Sequence, residues 1–148
     1  MYMQIQELGH VVFYVSDLKR SLHFYRDILG FRHVGGERGF AAFSSGRTHH
    51  ELLLIEVGGE PQRKEQFSPG FYHAGFKIGT TDEELSAAYR ELIAEGVTIV
   101  GTGDHTVTHS LYIHDPDGNE LELYVDVNDV WKTDPQAILT PVRPLSLS

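Results

Sequence analysis

Gly9-His10-Val11-Val12-Phe13-Tyr14-Val15-Ser16-Asp17-Leu18 is the stretch whose reading decides the fold. The apolar run from Leu8 to Val15 predicts a strand. Ser16 or Asp17 then offers a side-chain acceptor to cap a helix. Leu18, Leu22, Tyr25 and Leu29 recur at helical spacing, and Gly30 suits a helix stop, where left-handed backbone costs least. Three short strand-like pieces follow: Phe31 to Val34, Phe40 to Ser44 and His50 to Val57. Gly35-Gly36 and Ser45-Gly46 punctuate them as turns.

Further along, the same order of elements returns. Tyr72 to Ile78 predicts a strand, and Thr81 with Glu84 has the spacing of a capping box. Leu85, Ala88, Tyr89, Leu92 and Ile93 form a helical apolar stripe that ends at Gly96. Val97 to Val100, Ser110 to His114 and Glu120 to Val125 predict three more strands, the last two joined by the turn Asp115-Pro116-Asp117-Gly118. Each copy therefore reads as strand, helix, then three strands. The copies span residues 5–57 and 71–126, with a polar linker at 58–70. They are expected to make one domain, 1–126, followed by an extended tail, 127–148, carrying Pro135, Pro141 and Pro144.

Composition narrows the function. The chain has 148 residues, 41% apolar and 22% charged, with a formal net charge of −9. Its Arg and Lys residues are scattered, so no basic patch offers itself to nucleic acid. No apolar run is long enough for a membrane span or a signal peptide, and a cytoplasmic protein is expected. There is no cysteine, which excludes disulfides, thiolate metal ligands and a cysteine nucleophile. Any transition metal must be held by His and carboxylate, and the chain has nine histidines.

His10 lies in the predicted first strand of copy one, and His73 in that of copy two. Equivalent positions become neighbours if the copies pack with pseudo-symmetry. Glu122 lies in the last strand of copy two. There, alternation puts Glu120, Glu122 and Tyr124 on one face and Leu121, Leu123 and Val125 on the other. Carboxylates on a largely buried strand need partners, and a metal is one such partner.

Taken with Phe24-Tyr25-Arg26-Asp27-Ile28-Leu29-Gly30-Phe31 and Asp115-Pro116-Asp117-Gly118-Asn119-Glu120-Leu121-Glu122-Leu123, the opening stretch resembles the vicinal oxygen chelate superfamily. That superfamily includes glyoxalase I, fosfomycin-resistance transferases, bleomycin-binding proteins and extradiol ring-cleaving dioxygenases. The resemblance implies an α+β fold, two βαβββ units forming a curved, partly open barrel. It also implies a metal held by His10, His73 and Glu122, and a homodimer. Two histidines and one carboxylate leave open positions suited to Fe(II) and oxygen chemistry, with Mn(II), Zn(II) or Ni(II) as alternatives.

Within the superfamily, His49-His50-Glu51-Leu52-Leu53-Leu54 resembles the double-histidine strand of the extradiol dioxygenases. There the second histidine, matched by His50, acts on dioxygen without binding metal. By alternation His49 is expected on the opposite face. Asp104-His105-Thr106-Val107-Thr108-His109-Ser110-Leu111-Tyr112 resembles the dioxygenase segment whose histidine and tyrosine contact the two catechol oxygens. Tyr112 matches the tyrosine and His105 the histidine, with His109 as the alternative. The implied partners are a small aromatic diol and dioxygen. Glyoxalase I or a thiol transferase is the competing enzyme class, and a non-catalytic antibiotic-binding protein the third. Glyoxalase I adds a glutamate on the strand at residues 50–57, where Leu52 and Leu54 stand on the expected face and only a register shift would bring in Glu51 or Glu56.

Overall fold

A computed structural model describes residues 3–61, 65 and 67–148. The chain forms two compact units, Met1–Arg63 and Lys64–Ser148, which divide inside the expected linker. Among the described residues no helix is long and apolar enough to cross a membrane.

The first unit is a four-stranded mixed sheet with one helix. β1 (Val11–Val15) leads to α1 (Leu18–Leu22), and β2 (His33–Gly35), β3 (Phe40–Phe43) and β4 (Leu52–Glu56) follow. The sheet order is β1-β4-β3-β2, with β1 parallel to β4 and the other pairs antiparallel. Phe13, Val15, Leu52 and Leu54 share the buried face, and α1 packs on β3 and β4. The other face keeps apolar side chains open: Val12 and Tyr14 are exposed, and Leu53 and Ile55 half-buried.

The helix begins as expected and then departs from expectation. Asp17 caps it by accepting the Arg20 N–H at 3.0 Å, and Glu56 accepts the Leu18 N–H at 2.7 Å. From His23 to Ile28 it widens into a π-helix, with the Leu29 N–H donating to the Phe24 carbonyl. The adjacent Phe24 and Tyr25 are both buried, together with Ser21, while Leu18, Leu22 and Leu29 are only half-buried. The extra residue of a π turn rotates two consecutive aromatic side chains toward one face, which plain 3.6-residue spacing does not provide.

The strand at the opening stretch is also shorter than the apolar run. It starts at Val11, because the parallel register begins at Val11 opposite Leu52. His10 therefore sits one residue ahead of β1, and His49 and His50 lie in the approach to β4, not within it.

The second unit repeats the topology. β5 (His73–Gly79), α2 (Asp82–Ala94), β6 (Ile99–Asp104), β7 (Thr108–His114) and β8 (Glu120–Asp126) make a sheet of order β5-β8-β7-β6, again with its first and last strands parallel. Thr81 and Glu84 form the full capping box. Leu121, Leu123, Val125, Leu111 and Ile113 are buried, as are Leu85 and Leu92 of α2. Each such side chain contributes about 1.5–3 kcal/mol on full burial. The β7–β8 turn closes on Asp115, whose carboxylate accepts the Asp117 and Asn119 N–H groups, and Gly118 takes φ +80.

The segment expected as an extended tail carries two 3₁₀ helices, Val130–Lys132 and Pro135–Leu139, and folds back on its own unit. Asp104 and Arg143 exchange two backbone hydrogen bonds of 2.9 Å, and the Arg143 guanidinium lies 2.8 Å from the Asp104 carboxylate. Pro135 stands at the start of a 3₁₀ helix, where its missing N–H is harmless.

Both units are thus βαβββ, as the internal repeat predicts.

Candidate metal centre

In the second unit the residues singled out from sequence gather on the open face of β5, β8 and β7. The register sets Gly75 of β5 and Tyr112 of β7 on either side of Glu122. His73 Nε2 is 3.1 Å from Glu122 Oε2. The other oxygen of Glu122 accepts from Ser110 Oγ at 2.5 Å and from the Tyr112 hydroxyl at 3.3 Å. The Tyr112 hydroxyl lies 2.7 Å from His105 Nε2. The four groups form a line, His105–Tyr112–Glu122–His73. Burial, reinforced by the charge of Glu122 and its hydrogen bond, holds the Tyr112 phenol well above its ordinary pKa. The phenol is therefore a protonated donor at neutral pH.

The geometry separates the two candidate loop histidines. His105 follows β6 and is on the Glu122 side, 3.9 Å from the carboxylate. His109 is on β7 and faces the helix side, with Nδ1 2.5 Å from Asp82 and Nε2 3.5 Å from Asp104. Its bonds tie β7 to the start of α2.

The first unit holds its own histidine group. The rings of His10 and His50 are 4.3 Å apart between centroids, and those of His10 and His49 6.3 Å. His49 Nδ1 and His50 Nδ1 share a 2.6 Å hydrogen bond. The expected opposition of His49 and His50 does not occur. Alternation applies only within a paired strand, and β4 begins at Leu52. Desolvation, then the neighbouring His10 and His49, pushes the pKa of His50 below its ordinary value, so the imidazole is neutral near pH 7.

Glu51 and Glu56, the two glutamates of this segment, have structural partners. Glu51 accepts from the Ser45 N–H and Ser45 Oγ and lies 3.6 Å from Arg47. Glu56 holds the first turn of α1.

Within either unit, among the described residues, no three His, Asp or Glu side chains make a complete metal shell. The His73–Glu122 pair nevertheless fits one edge of such a shell. Two ligands at right angles, each about 2.1 Å from a metal, stand about 3.0 Å apart. His73 also keeps its second ring nitrogen, Nδ1, buried without a hydrogen-bond partner. With Nε2 turned to a metal, Nδ1 carries the ring proton, and it is that donor which lacks a partner.

Ser110 is a site residue that sequence reasoning missed. Its place two residues before Tyr112 puts it on the same strand face, and that alternation is the signal that could have found it. A cavity of about 600 Å³ also opens in this unit, with Glu122, Tyr124 and Asp126 along one side.

A sequence profile of the Glyoxalase/Bleomycin resistance protein/Dioxygenase superfamily matches residues 7–123. The chain belongs to that superfamily. Among its relatives is the catechol-2,3-dioxygenase of Bacillus subtilis (strain 168), 34% identical over 129 residues. That match takes in 86% of this chain but only 44% of the enzyme, so the chain spans less than half of that relative's length. A metallothiol transferase FosB of Staphylococcus saprophyticus is 32% identical over 81% of this chain and 77% of its own length. Among solved structures, a glyoxalase/dioxygenase from Nostoc punctiforme superposes with a TM-score of 0.66, over 83% of this chain and 92% of that one; at 20% identity it speaks for the superfamily fold. Superfamily membership thus rests on both profile and fold, and the relatives carry more than one activity.

Proposed function

We propose that the chain is a metal-dependent extradiol-type dioxygenase that opens the ring of a small catechol-like aromatic diol with dioxygen. The observation that carries this reading is the hydrogen-bonded line His105–Tyr112–Glu122–His73. It sets a phenol donor and a histidine beside a carboxylate–imidazole pair of ligand geometry. In this reading His10 completes the ligand set, Fe(II) is the metal, and Mn(II), Zn(II) or Ni(II) are other possible occupants. A bound metal supplies Lewis acidity, which eases proton loss from a catechol, and Fe(II) adds redox activity toward dioxygen.

The chain's own residues account for the rest. Tyr112, kept protonated, donates to one diol oxygen, and His105 fixes the direction of that hydroxyl. Ser110 holds Glu122 in its rotamer. His50, neutral near pH 7, takes and returns a proton during oxygen attack. The reading also places the chain in the cytoplasm as a homodimer.

The relationship to a metallothiol transferase supports a second reading, thiol transfer. Two observations weigh against it. The net charge is −9, unfavourable for an anionic antibiotic, and Glu122 and Asp126 are the charged groups lining the cavity. A glyoxalase-type site would need a further free glutamate, and Glu51 and Glu56 are engaged elsewhere.

The test is metal analysis of anaerobically purified protein, then a catechol panel in an oxygen electrode. His10→Ala, His73→Ala and Glu122→Ala are each expected to lose metal and keep the fold. With Fe(II), a catechol is expected to yield a yellow ring-opened product with oxygen uptake. Stoichiometric metal in all three variants would overturn the site. Glutathione-dependent conversion of methylglyoxal, or thiol transfer to a phosphonate, without oxygen uptake from any catechol would overturn the reaction.

A further inference from the structure

We infer that the segment after β8 forms the far wall of the diol site and selects catechols carrying an apolar ring substituent. The inference rests on the dioxygenase reading and adds a substrate class to it. The cavity beside Glu122 measures about 600 Å³, within the range of small-molecule sites. Its floor is the open face of β8, where Glu122, Tyr124 and Asp126 stand in line. Four residues of strand span about 13 Å, longer than one benzene ring. A diol anchored at Glu122 therefore leaves length to fill toward Asp126.

That length is walled by Trp131, Pro135 and Ile138. Trp131 is 43% exposed and Ile138 45%, so each keeps uncovered apolar surface at the cavity. All three follow residue 123, where the superfamily match ends.

The wall is anchored independently of any ligand. Ala137 is buried, Asn128 Nδ2 donates to the Thr106 carbonyl at 2.8 Å, and the Thr140 and Thr106 hydroxyls are 2.6 Å apart. The Asp104–Arg143 pairing holds the chain beyond it.

An apolar substituent would cover the open surface of Trp131 and Ile138.

Trp131 is the one tryptophan of the sequence, so its fluorescence reports on this wall directly. Anaerobic Fe(II)-loaded protein is titrated with catechol and 3-propylcatechol. Trp131 emission and the catechol-dependent absorption band are followed together. The propyl compound is expected to bind about tenfold tighter than catechol and to change Trp131 emission. Ile138→Ala is expected to shrink the propyl-to-catechol ratio several-fold, and Ile138→Trp, which fills the space, to invert it.

A ratio unaffected by both variants, or an absorption band without any Trp131 response, overturns the wall and leaves the dioxygenase reading standing. If no diol gives an absorption band while 3-propylphenol changes Trp131 emission with the same Ile138 dependence, the diol reading falls and the apolar wall stands. Loss of dimer in Ile138→Ala by sedimentation, with an unchanged ratio, assigns Ile138 to a contact between copies and overturns the inference.

Discussion

Glu122 shows what single side chains contribute. One oxygen faces His73, and the other takes the Ser110 and Tyr112 hydroxyls, so the carboxylate has one rotamer open to it. Groups that orient a ligand in this way are worth about 10–100-fold in metal affinity. Ser110→Ala is therefore expected to weaken Fe(II) binding by that factor, measured by competition with a chelator, while Tyr112→Phe keeps metal and loses catechol turnover. Wild-type affinity in Ser110→Ala would make the serine a core residue only. The histidines of the first unit give a second test. His50→Asn is expected to keep metal and catechol binding and to lose about a hundredfold in turnover. Strand alternation would make His49→Asn neutral. The 2.6 Å bond between His49 and His50 instead predicts a partial loss, because His49 holds the His50 ring. The candidate residue types were visible because histidines at repeat-equivalent positions stand out, as do carboxylates alternating along a largely buried strand. Ser110 was not, since a lone serine in a strand carries no chemical signal until its strand neighbours are known.

Elements were legible where local chemistry alone sets them. Thr81 and Glu84 announce the start of α2, and the box forms in full: Glu84 accepts the Thr80 and Thr81 N–H groups at 2.8 and 3.0 Å. These donors hold the Glu84 carboxyl below its ordinary pKa. A depressed folded-state pKa adds stability above the unfolded value of about 4.3, and that stability is lost as pH falls through the folded value. Thr81→Ala is expected to cost about 1 kcal/mol near pH 7. Glu84→Gln should flatten the acid side of the stability curve, followed by urea unfolding between about pH 3 and 6. A wild-type pH profile in Glu84→Gln would show that the carboxylate charge is not what the box uses. Gly79 belongs to the same device, because a Cβ there would collide with the Glu84 carboxylate. Where partners at long range decide, the sequence was less informative. The apolar run begins at Leu8, but the strand waits until Val11 because β4 offers a partner only from Leu52. The π turn at His23–Ile28 answers a packing demand of Phe24 and Tyr25 that no local spacing rule contains. The prolines after residue 134 suggest an extended chain, whereas Pro135 opens a 3₁₀ helix anchored through contacts with β6 and the β6–β7 loop.

At the scale of the whole molecule, the proposed ligand set makes a demand that neither unit meets alone. His73 and Glu122 belong to the second unit and His10 to the first, joined by a polar linker. If all three bind one metal, the metal couples the stability of the two units. Binding to the native state alone stabilises by about 4 kcal/mol at a free metal concentration a thousand times the dissociation constant. For a chain of this size, that corresponds to a rise of roughly 8–16 °C in melting temperature. Its distribution is the informative part. Hydrogen exchange with and without metal is expected to slow at the start of β1 and the approach to β4, as well as along β5 and β8. In His10→Ala the slowing in the first unit should vanish, and that in the second should weaken with the lost affinity. Protection confined to β5, β7 and β8 in the unmodified chain would mean that His73 and Glu122 bind metal without His10. The dioxygenase reading would then lose its ligand set, although the superfamily fold would be untouched.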